Sequence, residues 1–441
     1  MRKLRKSKYA FFVKKENGNY IVYSSMSGAV IVLHEKKYIE LPENVLKQDI
    51  FDYKANDFFD LMLKNRIFIE DFYDENLMIR GMYEERIIRS DALEIMLVVT
   101  RQCNFRCIYC GQSHANERMN VETYDSILSF IENQINKHGY SSVHVTFFGG
   151  EPLIEIKKIC SFLERLRDLL SELSTEQRTI TYKAGMSTNG YLLTPQVFER
   201  LVELQCVFFQ ISIDGMADAH DKMRPLASGE PTWHRIIENL SYMLSTNKHF
   251  SVLLRTNFNV EVAESLIEFY NLIGKKFNDK RVSIYYETIK NHGNEKTPAT
   301  VCGMEELVLD VDIAQLIREN GLICNNCTAR LMPCSYVCYA SKPNHYIIDE
   351  KNQILKCSFA LESSDNIIGT LNKGGSYVID EYNYYNWVYR DYLISEKCKE
   401  CKVLPLCFGK RCPKTFIRVD EMRCNTDIIN AEIEGLLDSY Y

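Results

Sequence analysis

No stretch of this 441-residue chain approaches the 18 or so consecutive apolar residues of a membrane-spanning helix. A helical membrane protein is excluded on that ground. Excess basic charge is also lacking: 53 Lys and Arg stand against 59 Asp and Glu, for a net charge of −6. Nothing here promises an electrostatic grip on a nucleic acid backbone. An export signal is absent too, because the apolar stretch after Arg2, Lys3, Arg5, Lys6 and Lys8 is only 9–13. That basic start reads as a solvated tail, and the protein as a cytoplasmic one with neither membrane nor nucleic acid as partner. Internal repeats and low-complexity segments are missing. Cysteine, by contrast, is abundant, with sixteen residues. In a secreted chain they would signal disulfides. Without an export signal, clustered cysteines are more often metal ligands, and eleven of the sixteen fall in tight groups.

The chain reads as three regions, 1–90, 91–300 and 301–441. The first begins with short strands at 10–13, 20–23 and 29–33, the first two joined at Asn17-Gly18. A helical pattern at 56–64 and a closing strand through Ile67 and Ile69 follow, making a small α+β domain. Residues 71–90 read as a charged helical bridge. The second region alternates: strands at 93–100, 143–148, 179–186, 207–213, 251–257 and 282–287 enclose helices at 121–137, 156–173, 195–204, 233–244 and 262–274. Repeated βα units require a parallel sheet with right-handed crossovers. Six strands predict an α/β fold built on a partial (β/α)6 barrel, with a closed eight-stranded barrel as runner-up. Chemistry is expected at the C-terminal strand ends. Beyond about residue 300 the alternation is expected to give way to a cysteine-rich segment that folds around metal.

Cys103, Cys107 and Cys110 follow the first barrel strand in C-x3-C-x2-C spacing. Three thiolates leave one iron of a four-iron cluster without a protein ligand, whereas a structural zinc site would take four. The stretch Cys-Asn-Phe-Arg-Cys-Ile-Tyr-Cys resembles the motif of the radical SAM superfamily, with Tyr109 as the aromatic that contacts adenine there. Further matches follow in order: Gly149, Gly150, Glu151 and Pro152 after the second strand, Ser187 and Asn189 after the third, Ser212 and Asp214 at the fourth, Arg255 and Asn257 on the fifth. The resemblance implies that S-adenosylmethionine binds these residues, with Arg235 or Arg255 holding its carboxylate.

A second framework, Cys398-x2-Cys401-x5-Cys407-x4-Cys412 with Cys424, follows Cys334-x3-Cys338 and Cys357. It resembles the SPASM domain of radical SAM maturases. Carried over, Cys334, Cys338, Cys357 and Cys412 hold one auxiliary cluster, and Cys398, Cys401, Cys407 and Cys424 another, for three [4Fe-4S] clusters in all. The family's pattern has glycine where Asn352 stands, a residue that also tolerates a left-handed turn. It has three residues, not four, before the counterpart of Cys412. Zinc knuckles are the competing reading. Cys160 and Cys206 read as core, Cys302 is uninformative, and the Cys324-x2-Cys327 pair reads as reduced thiols in a loop. His292, after the sixth strand, reads as a surface loop residue.

The resemblance implies a one-electron cleavage of S-adenosylmethionine, fed by a donor such as flavodoxin or ferredoxin, and hydrogen abstraction from a substrate. A maturase of ribosomally made peptides, installing a thioether or next a carbon–carbon crosslink, is expected first. An anaerobic sulfatase maturase forming formylglycine is the alternative. One hundred or so residues before Cys103, and Ser358 where that second family has aspartate, favour the peptide maturase. The N-terminal region resembles, by pattern alone, the winged-helix-like PqqD element. It is expected to bind the precursor's leader along the edge 28–33.

Overall fold

The computed structural model describes residues 2–39, 50–54, 56–289, 306–389, 396–409, 412–414 and positions 430, 433, 435 and 437. Compactness divides the chain into two units. One comprises Met1–Arg89, Cys327–Pro343 and Val388–Tyr441, the other Ser90–Asn326 and Asn344–Trp387. Residues 301–441 are thereby shared between the two.

In the first unit six strands form two antiparallel sheets: β1 (Arg2–Lys6), β2 (Ala10–Lys14), β3 (Tyr20–Ser24), β4 (Val30–Leu33), β5 (Phe51–Tyr53) and β6 (Phe68–Glu70). Their orders are β5-β1-β6 and β2-β3-β4. The basic start is therefore not a solvated tail. Leu4 is fully buried in the centre of its sheet, and Arg5 pairs with the buried Glu75 at 2.7 Å. Period-2 alternation places Leu4 inward, and the charges on either side of it hide the strand from a composition-based reading. The helix Asp57–Lys64 starts where Asn56 accepts a hydrogen bond from Phe59 N. Its Met62 packs with Leu4, Val22, Leu33, Phe51 and Phe68 in one core.

In the second unit the six expected strands are present and parallel: β7 (Ala92–Thr100), β8 (Ser142–Gly149), β9 (Thr181–Thr188), β10 (Cys206–Ser212), β11 (Ser251–Phe258) and β12 (Val282–Thr288). They lie side by side in chain order. Helices Val121–His138, Ile156–Leu173, Pro195–Glu203, Trp233–Ser245 and Val260–Lys276 alternate with them. Helix Ile156–Leu173 buries Ile159, Phe162, Leu163, Leu166 and Leu170, one apolar stripe. Asn120 and Thr194 cap their helices as N-caps, the latter before Pro195.

The alternation does not stop at 300. Helix Glu306–Glu319 leads to β13 (Ile323–Cys324) beside β12. On the other edge β14 (His345–Ile348) joins β7 in parallel, and β15 (Gln353–Leu355), β16 (Ile367–Leu371) and β17 (Tyr377–Ile379) continue antiparallel. Among the described residues the sheet of eleven strands runs from β13 to β17 without those two pairing, so it is an open, partial barrel. Among the described residues no helix is long and apolar enough to cross a membrane.

Candidate functional site

The loop after β7 leaves and re-enters the sheet edge: Arg101 N donates to Glu117 O and Met119 N to Val99 O, both at 2.9 Å. Within it Cys103, Cys107 and Cys110 are half-buried and free. Cys103 Sγ accepts from Phe105 N at 3.3 Å, and Cys110 N closes a turn on Cys107 O at 3.1 Å. The loop also pairs with a segment after β10. Ile108 N donates to Met223 O, Arg106 N to Pro225 O, and Ala227 N to Asn104 O, at 2.7–3.0 Å. Burial pushes the thiol of Cys103 up to about 12 and that of Cys107 up to about 11. Metal entry must therefore release protons from these groups.

The glycines after β8 serve this loop. A Cβ on Gly149 would stand 2.2 Å from Thr100 O, and one on Gly150 2.1 Å from Gln102 O. Gly150 N and Glu151 N donate to Thr100 O and Gln102 O at 2.9 and 2.8 Å. The close approach is thus of one backbone to another. The fully buried Glu151 carboxylate accepts from Leu153 N, Thr188 Oγ1 and Asn189 N at 2.7–3.0 Å. Burial raises its pKa against those hydrogen bonds. Asn189 in turn donates to Asn104 Oδ1 at 2.8 Å. Pro152 is buried and opens the short helical turn Pro152–Glu155.

Arg101, two residues before Cys103, is buried among three carboxylates. It lies 3.5 Å from Asp349, 2.9 Å from Glu350 and 3.1 Å from Glu362. Burial raises the pKa of both Asp349 and Glu350, opposed by the Arg101 charge. The C-terminal extension of the sheet thereby anchors the cysteine loop.

Tyr109 is the hub of a second network. Its hydroxyl donates to Asp214 Oδ2 at 2.5 Å and accepts from Asn257 Nδ2 at 3.1 Å and from Arg224. Asp214 is fully buried, and its Oδ1 accepts from Asn257 N and Nδ2 at 2.9 and 3.2 Å. Arg255 Nε donates to Asn257 Oδ1 at 2.8 Å, and Ser212 is its register partner across β10 and β11. Ser187 accepts from Gln210 at 3.1 Å. Tyr109, Asp214, Arg255 and Asn257 are thus brought together. Arg235 is not with them: it is exposed, donating to Tyr191 O at 3.1 Å with its guanidinium 4.9 Å from that ring.

Two residues of the site escaped sequence reasoning. Arg224 is 6% exposed, and its positive charge faces Asp214 at 3.7 Å. His220 is fully buried, accepting Asp214 N on Nδ1 at 3.0 Å and facing Thr232 Oγ1 at 3.1 Å. Burial, helped by the Arg224 charge, holds its pKa well below the usual imidazole value. The available signal was spacing: Asp214, His220, Asp221 and Arg224 stand in D-x5-H-D-x2-R order after β10.

Among the described residues no three His, Cys, Asp or Glu side chains converge as a single-ion site would require. Thiols that bind separate corners of a cluster need not converge on one point, so the donor set of Cys103, Cys107 and Cys110 fits a cluster with three protein ligands.

Of the C-terminal cysteines, Cys334, Cys398 and Cys401 pack with Tyr9, Ile79 and Leu404 in the first unit. Cys334 N donates to Pro405 O at 3.0 Å, so its loop is tied to the helix Leu404–Cys407. Cys338 and Cys412 are half-buried in the same unit. Cys357 belongs to the second unit, where the buried Asn366 accepts its N–H at 2.8 Å. Asn352 has φ +63°, the left-handed turn expected of it. Cys206 is buried core and Cys160 half-buried. Cys324 is disulfide-bonded, which corrects its reading as a reduced thiol. The side chain of Cys327, and Cys302, His292 and Cys424, lie outside the described residues.

Residues 97–273 match the radical SAM superfamily model, the segment that holds Cys103, Cys107 and Cys110 together with Tyr109, Glu151, Asp214, Arg224 and Asn257. The chain carries a radical SAM domain. The chain is related to SPASM-type radical SAM enzymes and to sulfatase maturases. It is 23% identical over 449 residues to the radical SAM cyclopropyl synthase TigE of Paramaledivibacter caminithermalis, covering 92% of this chain and 89% of that one. An uncharacterized Methanocaldococcus jannaschii protein is 26% identical over 184 residues, 41% of this chain and 59% of its own length. The chain thus spans less than two thirds of that relative. Among solved structures, Streptococcus suis SuiB bound to precursor peptide SuiA superposes with a TM-score of 0.56 at 17% identity, over 97% of this chain and 99% of that one. Native anSMEcpe with bound AdoMet and Cp18Cys peptide gives 0.61 at 16% identity, over 79% and 96%. Both likenesses are likenesses of fold.

Proposed function

We propose that this radical SAM protein is a maturase that abstracts a hydrogen atom from a ribosomally made precursor peptide and installs an oxidative crosslink. The observation that carries the reading is the reach of the likeness to SuiB, a protein captured with its precursor peptide, over 97% of the chain. In this reading Cys103, Cys107 and Cys110 hold a [4Fe-4S] cluster. Bound there with S-adenosylmethionine, the cluster supplies the one-electron cleavage that yields the hydrogen-abstracting radical. Tyr109, Ser187, Asn189, Ser212, Arg255 and Asn257 line the cofactor site, while Gly149, Gly150, Glu151 and Pro152 position the loop that carries the thiols. Asp214 acts by holding Tyr109 and Asn257. Cys334, Cys338, Cys357 and Cys412, and Cys398, Cys401, Cys407 and Cys424, hold two auxiliary clusters. A flavodoxin or ferredoxin supplies the electron.

The leader binds as an added strand on β4. Among the described residues β4 pairs only with β3, which leaves one edge open. A thioether is the first expectation for the bond, and the relation to a cyclopropyl synthase supports carbon–carbon coupling as the second.

The test is anaerobically reconstituted protein with reductant, S-adenosylmethionine and any short peptide encoded beside the gene. Mass spectrometry after thiol alkylation should show loss of two hydrogens, with one alkylation site fewer for a thioether. The Cys103, Cys107 and Cys110 to alanine variant should release no 5′-deoxyadenosine, and release would sink the cluster assignment. An aldehyde formed on a sulfatase-type serine or cysteine peptide, with the precursor untouched, would move the protein to the sulfatase maturases.

A further inference from the structure

The ladder between the cysteine loop and the segment after β10 fixes a pairing no motif announces. Ile108 N donates to Met223 O at 3.0 Å and Arg106 N to Pro225 O at 2.9 Å, while Phe105 bridges Leu226. Residue 224 therefore stands across from Cys107. Its side chain turns into the loop. The guanidinium carbon is 5.9 Å from the ring centroids of both Phe105 and Tyr109, and one amino group donates to the Tyr109 hydroxyl.

The backbone of Arg224 is clamped as well. Thr232 Oγ1 donates to Arg224 O at 2.9 Å and sits 3.1 Å from His220 Nε2. Because His220 Nδ1 accepts Asp214 N–H, its proton resides on Nε2 and points at that hydroxyl. Asp221 Oδ1 accepts from both Thr232 N and Trp233 N, at 2.8 and 2.9 Å, which holds the next helix start in place. Asp214 does not need this arginine for satisfaction, since Tyr109 and Asn257 already donate three hydrogen bonds to it. A buried cation, expensive to desolvate, is nevertheless held on the residue opposite Cys107, where its charge lowers that thiol's pKa against the effect of burial.

We propose that Arg224 is a positioning residue whose fixed positive charge raises the reduction potential of the cluster that Cys103, Cys107 and Cys110 would hold. Reduction adds one electron and so makes the thiolate-bound site more negative. A cation locked nearby in a water-poor environment stabilises that state, and water there would screen it far less than at the surface. Asp214, 3.7 Å from Arg224, opposes the effect. The charges that face one another from the packed elements are thus Arg224, Asp214, Glu151 and the thiolates, with His220 neutral.

The inference rests on the cluster reading above, and iron analysis separates the two. Wild-type protein that takes up no iron at these cysteines fails the cluster reading itself. The measurement is a potentiometric titration of the anaerobic protein without S-adenosylmethionine, followed by electron paramagnetic resonance. The auxiliary cysteines are unchanged, so their signals serve as an internal reference. Arg224→Gln should lower the reduction equilibrium constant about tenfold, a shift of about 59 mV for a one-electron couple. Arg224→Lys keeps the charge and should change it less than about threefold, as should Tyr109→Phe. Asp214→Asn should shift the potential upward. Equal shifts in the glutamine and lysine variants, or no shift in an iron-replete glutamine variant, would overturn the proposal. If the glutamine variant cannot hold iron, Asp214→Asn decides: an upward shift upholds the charge argument, and an unchanged or lower potential refutes it.

Discussion

Replacing Gly150 by alanine tests whether the glycine pair after β8 exists to admit the cysteine loop. The added Cβ would meet Gln102 O at 2.1 Å, Gln102 C at 2.5 Å and Arg101 O at 2.7 Å. All three are backbone atoms, so no side chain can swing aside. Ordinary contact begins near 3.4 Å, and the two segments must part by about 1 Å. Overpacking of this kind costs about 1–3 kcal/mol. The hydrogen bonds from Gly150 N and Glu151 N to the loop are stretched too, at about 1 kcal/mol each. A loss of about 3–5 kcal/mol is expected by anaerobic denaturant titration. Because the displaced backbone carries Cys103, a 1 Å misplacement should also cut 5′-deoxyadenosine release about a hundredfold. Gly81→Ala is the control, since its Cβ meets nothing within 4 Å on the helix Glu75–Tyr83. It should be neutral or stabilising by up to about 1 kcal/mol. Wild-type iron content together with less than threefold loss of release in Gly150→Ala would refute the packing argument.

Three further outcomes follow from the same geometry. Arg101→Leu strands the buried Asp349 and Glu350 without their cation and should cost about 3–5 kcal/mol in denaturant titrations; a cost under about 1 kcal/mol would mean the cluster relaxes freely. His220 has a depressed folded-state pKa, so below pH 6.5 the unfolded chain binds the extra proton. Stability is then full above that pH and falls by up to about 1.4 kcal/mol per pH unit below it, and His220→Gln should flatten the profile of melting temperature against pH between 5 and 6.5. Ser24 N donates to Ala29 O, so residues 29, 31 and 33 bond inward to β3 while Val30 and Val32 point their N–H groups to the open edge. Val30→Pro should therefore weaken binding of a labelled leader peptide by fluorescence anisotropy and leave 5′-deoxyadenosine release without peptide unchanged. Unaltered affinity in the folded variant would make the N-terminal sheet a structural cap.

Much of the second unit was legible before any coordinates. The six core strands announce themselves because they recur in alternation with amphipathic helices, and the thiols of 103, 107 and 110 carry their own spacing. The glycines of 149 and 150 were legible as a close approach, but what approaches them was not. Their neighbours are Thr100 and Gln102, some fifty residues earlier in the chain. Arg2–Lys6 was misread because a strand whose inward position is a single leucine looks like a charged tail until β5 and β6 flank it. Short strands such as β13 and β14 carry too few residues for a periodic signal, and only pairing with β12 and β7 makes them strands. Local chemistry, meaning thiol spacing, caps and period, is written in neighbouring residues and so can be read from sequence alone. The placing of Arg255 rather than Arg235 beside Asn257, the burial of Arg101 among Asp349, Glu350 and Glu362, and the sharing of residues 301–441 between two units all depend on contacts across long chain separations. Tertiary packing decided them, because desolvation and charge pairing act through space and take no account of distance along the chain.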